Sequence, residues 1–87
     1  MAYNFRILLN QNSESLHLNL TGDFDGSSAH ALLNTIKRYS RKTNRVFIHT
    51  GGLIDVHPFG RAVFRDHLPE IGPLPGGFIL AGEKLAV

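Results

Sequence analysis

Leu16, Leu18 and Leu20 alternate with Ser15, His17 and Asn19, which predicts a half-buried strand with its leucines on one face and its polar groups on the other. Phe5–Leu9 is a second apolar run, and the polar stretch Asn10–Glu14 between the two is of the kind that closes a hairpin. On this reading His17 points to solvent or to the edge of the sheet. Thr21–Gly26 reads as a turn, after which Ser27 or Ser28, or one of Asp23 and Asp25, caps a helix by accepting a backbone N–H. That helix runs to about Arg41, because Leu32, Leu33, Ile36 and Tyr39 recur at three- and four-residue spacings, mainly opposite His30, Asn34, Lys37, Arg38 and Arg41. Arg45–Thr50 follows as a β-rich run whose apolar side chains on both faces indicate a central strand.

Gly51–His57 reads as a loop leading into Pro58, a residue suited to the first turn of a helix, where its missing N–H costs nothing. In this second helix Phe59, Ala62, Val63 and His67 share a stripe, with Arg61, Arg65 and Asp66 outward, and Leu68-Pro69 ends it. The Pro- and Gly-rich Glu70–Gly77 is a connector, and Phe78–Ala81 reads as a last buried strand. The order β-β-α-β-α-β predicts an α/β fold with a small mixed sheet. The later strands pair in parallel through right-handed crossovers, and the opening hairpin adds an antiparallel edge. With the helices on one face, the other face must be polar, shielded by a tail, or used for a partner.

The 87 residues fit one compact unit, so 1–87 is read as a single domain. The absence of cysteine excludes a disulfide framework, a thiolate metal site and a cysteine nucleophile. Met1–Arg6 lacks the basic and apolar segments of a signal peptide, and no apolar stretch approaches membrane-spanning length, so a cytoplasmic location away from membranes is expected. The net charge of +2 is mild, yet Lys37, Arg38, Arg41, Lys42 and Arg45 are bunched. Their simplest role is a solvated helix end complementing the macrodipole. Nucleic-acid binding would call for aromatic platforms or a DNA-binding motif among those cations, and the sequence displays neither.

Two stretches carry a resemblance. Leu16–Asp25, reading LHLNLTGDFD before a small-residue helix start, and Val46–Gly60, reading VFIHTGGLIDVHPFG, resemble in order and spacing two signatures of the STAS (sulfate transporter and anti-sigma factor antagonist) family. The resemblance spans Leu16 to Gly82. It implies a bacterial, non-catalytic regulatory domain that binds an anti-sigma or histidine-kinase-like ATPase domain. The partner-binding surface it implies comprises Asp23, Asp25, Asp55, Val56, His57, Pro58 and Phe59. In antagonist members a serine directly after the matching aspartate is phosphorylated at the amino end of the second helix, where a phosphate meets free N–H groups. Here that position is Val56, followed by His57 and Pro58, while Asp55 and Gly60 are kept. The serine switch is therefore not expected. The family also continues into a further helix after the strand matching Phe78–Leu80. This calls either for a stub over Glu83–Val87 or for a second subunit or partner covering the same surface, with self-association, as a homodimer, or capping by a partner the favoured form.

His49, Asp55, His57 and His67 are the polar groups that could gather near the strand end and the second helix, as zinc ligands or acid–base groups. Their spacing fits no established metal motif. Ser27 and Ser28 lack an evident activating base, and Gly51-Gly52 lacks the lysine of a phosphate-binding loop. The sequence therefore predicts a protein-binding module without enzyme activity, cofactor or metal. The alternative is a small ligand-binding or catalytic domain using His49, His57 and His67.

Overall fold

The computed structural model describes residues 4–86; Met1–Tyr3 of the leader reading and Val87 of the tail reading lie outside the described residues. Strands β1 (Arg6–Gln11), β2 (Ser15–Phe24), β3 (Arg45–Val56) and β4 (Gly77–Ala81) lie side by side in that order. Helices α1 (Gly26–Tyr39) and α2 (Pro58–His67) are the crossovers, extended by the single 3-10 turns Ser40–Lys42 and Leu68–Ile71. β1 pairs antiparallel with β2, whereas β2 with β3 and β3 with β4 are parallel, as the element order requires. Asn12 tightens the hairpin, its Oδ1 accepting the N–H groups of Glu14 at 3.0 Å and Ser15 at 2.8 Å.

Both inner strands run past their expected ends. The alternation of β2 continues through Gly22 to Phe24, so Leu16, Leu18, Leu20, Gly22 and Phe24 are all buried and Thr21–Phe24 is strand rather than turn. Likewise Gly51–Val56 is not a loop but the second half of β3. Two register shifts against β2, between Asn19 and Thr21 and between Gly22 and Asp23, let the longer strand keep pace with the shorter. Gly52 is required at the first shift, because a Cβ there would lie 2.7 Å from the Leu20 carbonyl oxygen.

Leu16, Leu18, Leu20 and Phe24 of β2, Val46, Ile48 and Leu53 of β3, Ala29, Leu32, Leu33 and Ile36 of α1, and Val63 and Phe64 of α2 form the core. The helices thus cover one face of the sheet, as predicted. The buried stripe of α2 is Gly60, Val63 and Phe64; Phe59, expected on that stripe, is largely exposed. β4 is an edge strand that pairs only with β3, and Ile79 and Leu80 keep over a third of their surface, so it is not the buried strand expected. The core also takes in Leu85. A turn closed by the Ala86 N–H on the Glu83 carbonyl at 3.0 Å carries this side chain inward. The described part of the tail, to Ala86, thus turns back onto the core as the stub alternative has it.

The basic cluster behaves as a helix end: Lys37 and Arg38 occupy the last turn of α1, Arg41 and Lys42 the 3-10 turn after it, and all four are exposed. On the helix-free face, alternation and register line up Leu8 and Asn10 of β1, His17 and Asn19 of β2, Phe47 and His49 of β3, and Ile79 of β4. His17 does not stand free at an edge. Its ring stacks on Phe47 with centroids 4.5 Å apart and planes 2° from parallel.

Candidate functional site

Where β2 and β3 end, the turn into α1 and the turn into α2 are fastened together. The His57 N–H donates to the Phe24 carbonyl at 2.9 Å, prolonging the sheet ladder by one bond. Beyond it Gly60 lies flat on the other turn: a Cβ at this position would come within 2.6 Å of the Asp25 carbonyl carbon. The phenyl ring of Phe59 rests over Gly26, which has no side chain to displace it. Its outer side is nonetheless open, leaving Phe59 72% exposed; on β3, Ile54 is 79% exposed. Acidic groups stand at the same strand ends. Strand register sets Asp23 beside Asp55, and Asp55 Oδ2 lies 4.0 Å from His57 Nε2, with both of these side chains more than half exposed.

Asp25 has a different task. It is the N-cap of α1, its Oδ1 accepting the Ser28 N–H at 2.9 Å and the Ser27 and Ser28 hydroxyls at 2.8 and 3.0 Å. Asp25 therefore caps the helix, and the two serines support it as donors. The Ser28 backbone N–H and then the Ser27 hydroxyl stabilise the carboxylate and hold its pKa down, from 3.8 to about 2. Because the folded state prefers the ionised form, this contribution is complete above the ordinary pKa and is lost as pH falls from about 4 towards 2. Asp25→Ala should cost about 1 kcal/mol at neutral pH, the solvent exposure of the group keeping the figure modest. Urea denaturation at pH 7 and pH 2.5 checks this: the gap between wild type and variant should narrow at the lower pH.

Of the residues expected to bind a partner, Asp23 and Asp55 lie near the carboxyl ends of β2 and β3, and His57, Pro58 and Phe59 at the start of α2. Asp25 lies beside them as the cap. Val56 pairs with Phe24 and packs partly against the core. His57 occupies the N-cap position of α2 without a capping side-chain bond, and Pro58 takes the first turn as expected. The histidine alternative is not assembled. His49 lies on the helix-free sheet face bonded to His17, and His67 bonds to Glu70 at 2.9 Å at the far end of α2. Among the described residues no three histidine or carboxylate groups come together. The exposure of Ile54 and the close approach of Gly60 to Asp25 have no signal in the sequence pattern. Ile54 becomes legible only once β3 is known to continue, since the alternation of Leu53 and Ile54 then turns one inward and the other outward.

No protein-family model matches the sequence, and no curated protein does. Solved structures do. The unphosphorylated form of the anti-sigma factor antagonist SpoIIAA superimposes with a TM-score of 0.67 over 86% of this chain and 71% of its own, at 15% identity. The chain has the fold of SpoIIAA, the STAS fold. Two structures of Mglu share it. One has a TM-score of 0.75 over 88% of this chain at 12% identity; the other, the L-glutamate binding form in 4.3M NaCl, has 0.73 over 93% at 9%. This chain corresponds to only 19% and 28% of those two Mglu chains. In the SpoIIAA-like fold the surface around Phe59 lies at the start of α2, and no helix among the described residues is long and apolar enough to cross a membrane.

Proposed function

We propose that residues 1–87 form a regulatory, non-catalytic STAS-like domain that binds an anti-sigma or histidine-kinase-like ATPase domain in the cytosol, using Asp23, Asp55, His57, Pro58, Phe59 and Ile54. The observation that carries this reading is Phe59, 72% exposed at the start of α2 where the two turns are fastened together, with Asp23 and Asp55 at the neighbouring strand ends and Ile54 79% exposed on β3. Large exposed aromatic groups on a rigid frame suit the anchor of an interface, and flanking charge suits selection of a basic partner surface. The shared fold with an anti-sigma factor antagonist supports the partner class. Because Val56 has no hydroxyl and packs partly against the core, binding in this proposal is constitutive rather than released by serine phosphorylation.

Affinity capture from the native cytosol with mass spectrometry tests this. Wild type should retain an ATPase or anti-sigma regulator, and Phe59→Ala should weaken its binding about tenfold or more while leaving the circular dichroism unchanged. His57→Glu is the second arm. Asp25→Lys is unsuitable, since it removes a helix cap as well as a surface charge. Equal recovery by wild type and Phe59→Ala would exclude this surface as the docking site.

A further inference from the structure

His17 and His49 are 32 positions apart in sequence, yet the parallel register of β2 and β3 brings them together on the helix-free face, with His17 Nδ1 and His49 Nε2 3.0 Å apart. We infer that this pair is a two-imidazole site for a divalent transition-metal ion of the zinc and copper type, with the remaining coordination positions open to water or to a further ligand.

The spacing fits chelation. Two nitrogens each about 2.0–2.1 Å from one metal stand about 2.9 Å apart at octahedral angles and about 3.4 Å apart at tetrahedral ones. The two nitrogens now face each other end to end across a shared proton, and metal binding would require both rings to tilt by roughly 20° or more until their lone pairs meet at a common point. The rings are already held. His17 stacks on Phe47, and the His17 and His49 rings lie 15° from parallel with centroids 5.2 Å apart. Less side-chain freedom is then lost on binding than for two free histidines. Both residues are half-buried, which leaves solvent a route to the site. Their register neighbours are Asn10 and Phe47 for His17, and Asn19 and Ala81 for His49, none of them cationic. On the same face β1 carries Arg6, β2 Asp23, and β3 Arg45 and, beside Asp23, Asp55, each displaced along its strand from the pair, while β4 carries no charge. Imidazole is the ligand these metals prefer when no thiolate is present, and this chain has no cysteine. Among the described residues no third histidine or carboxylate joins the pair, so the inferred site has two protein ligands, fewer than the three or four of zinc sites in general, and the other positions fall to water or a further ligand.

Titration of the full chain with zinc chloride by calorimetry at pH 7.5 tests the inference, with histidine side-chain NMR reporting which rings respond. The expected result is one zinc per chain, shifts confined to the His17 and His49 rings, and at least a tenfold loss of affinity in both His49→Ala and His17→Gln. The glutamine variant retains a hydrogen-bonding side chain and guards against a simple folding defect. His57→Ala should bind as wild type does. No stoichiometric zinc, or binding that survives both sheet variants, would overturn the assignment. Neither result bears on capture of a protein partner through Phe59, which is on a different surface.

Discussion

Leu85→Ala is expected to lower the stability of the domain by about 3 kcal/mol, within the range for truncating a buried leucine. Leu85 is only 2% exposed and belongs to the same cluster as Leu16, Ile48 and Phe64. The tail reaches that position because it is tied on both sides. Lys84 Nζ donates to the carbonyls of Leu53 and, at 3.3 Å, of Gly51, on the part of β3 where its register shifts, while Arg61 Nη2 donates to the Lys84 carbonyl at 3.3 Å. The same residues thus satisfy strand carbonyls and seat the leucine. Thermal unfolding should show a drop of about 12–24 °C for a domain of this size. Glu83→Ala, an exposed neighbour, serves as the control and should change stability by less than about 0.5 kcal/mol. If Leu85→Ala unfolds like wild type, the tail is not part of the core and the expectation of an external cover over that surface returns.

The elements were legible wherever a periodic apolar signal ran without interruption: the leucines of β2, the Leu32, Leu33 and Ile36 stripe of α1, and Pro58 at the start of α2. Strand ends were not, for a definite reason. Thr21–Asp23 and Gly51-Gly52 have turn composition, and only mutual pairing of β2 and β3 overrides that local preference. The α2 stripe failed similarly. Its first buried position is Gly60, which gives no apolar signal, so the apolar pattern points to Phe59 instead. Phe78–Ala81 carries no mark that separates an edge strand from a central one; the sheet order decides it. For the site, Asp55, His57 and Pro58 could be placed by resemblance, since they sit at a strand–helix junction. The His17 and His49 pair was beyond reach, because alternation gives the face of a side chain and never the register of its neighbour.

Gly60→Ala is expected to destabilise the protein by about 2 kcal/mol, the reverse of what the substitution does in an ordinary helix, where alanine is favoured over glycine by about 1 kcal/mol. The reversal follows from what surrounds Gly60. An added Cβ would lie 2.6 Å from the Asp25 carbonyl carbon, 2.7 Å from its oxygen and 2.9 Å from its Cα, and all three are backbone atoms held by the cap of α1. No flexible side chain can move aside, so overpacking of about 3 kcal/mol outweighs the gain in helix propensity. The strain would lift α2 from the first turn and stretch the bond from the His57 N–H to the Phe24 carbonyl. Amide exchange at His57 should therefore accelerate more than exchange in the middle of β2, and the apparent affinity for a captured partner should fall although Gly60 itself is buried. Gly51→Ala makes the contrast, since a Cβ there meets nothing within 4 Å, and it should leave both readouts close to wild type. A stabilised Gly60→Ala variant would mean that the two turns are not in contact. Phe59 would then lose the rigid support on which its role as an anchor depends.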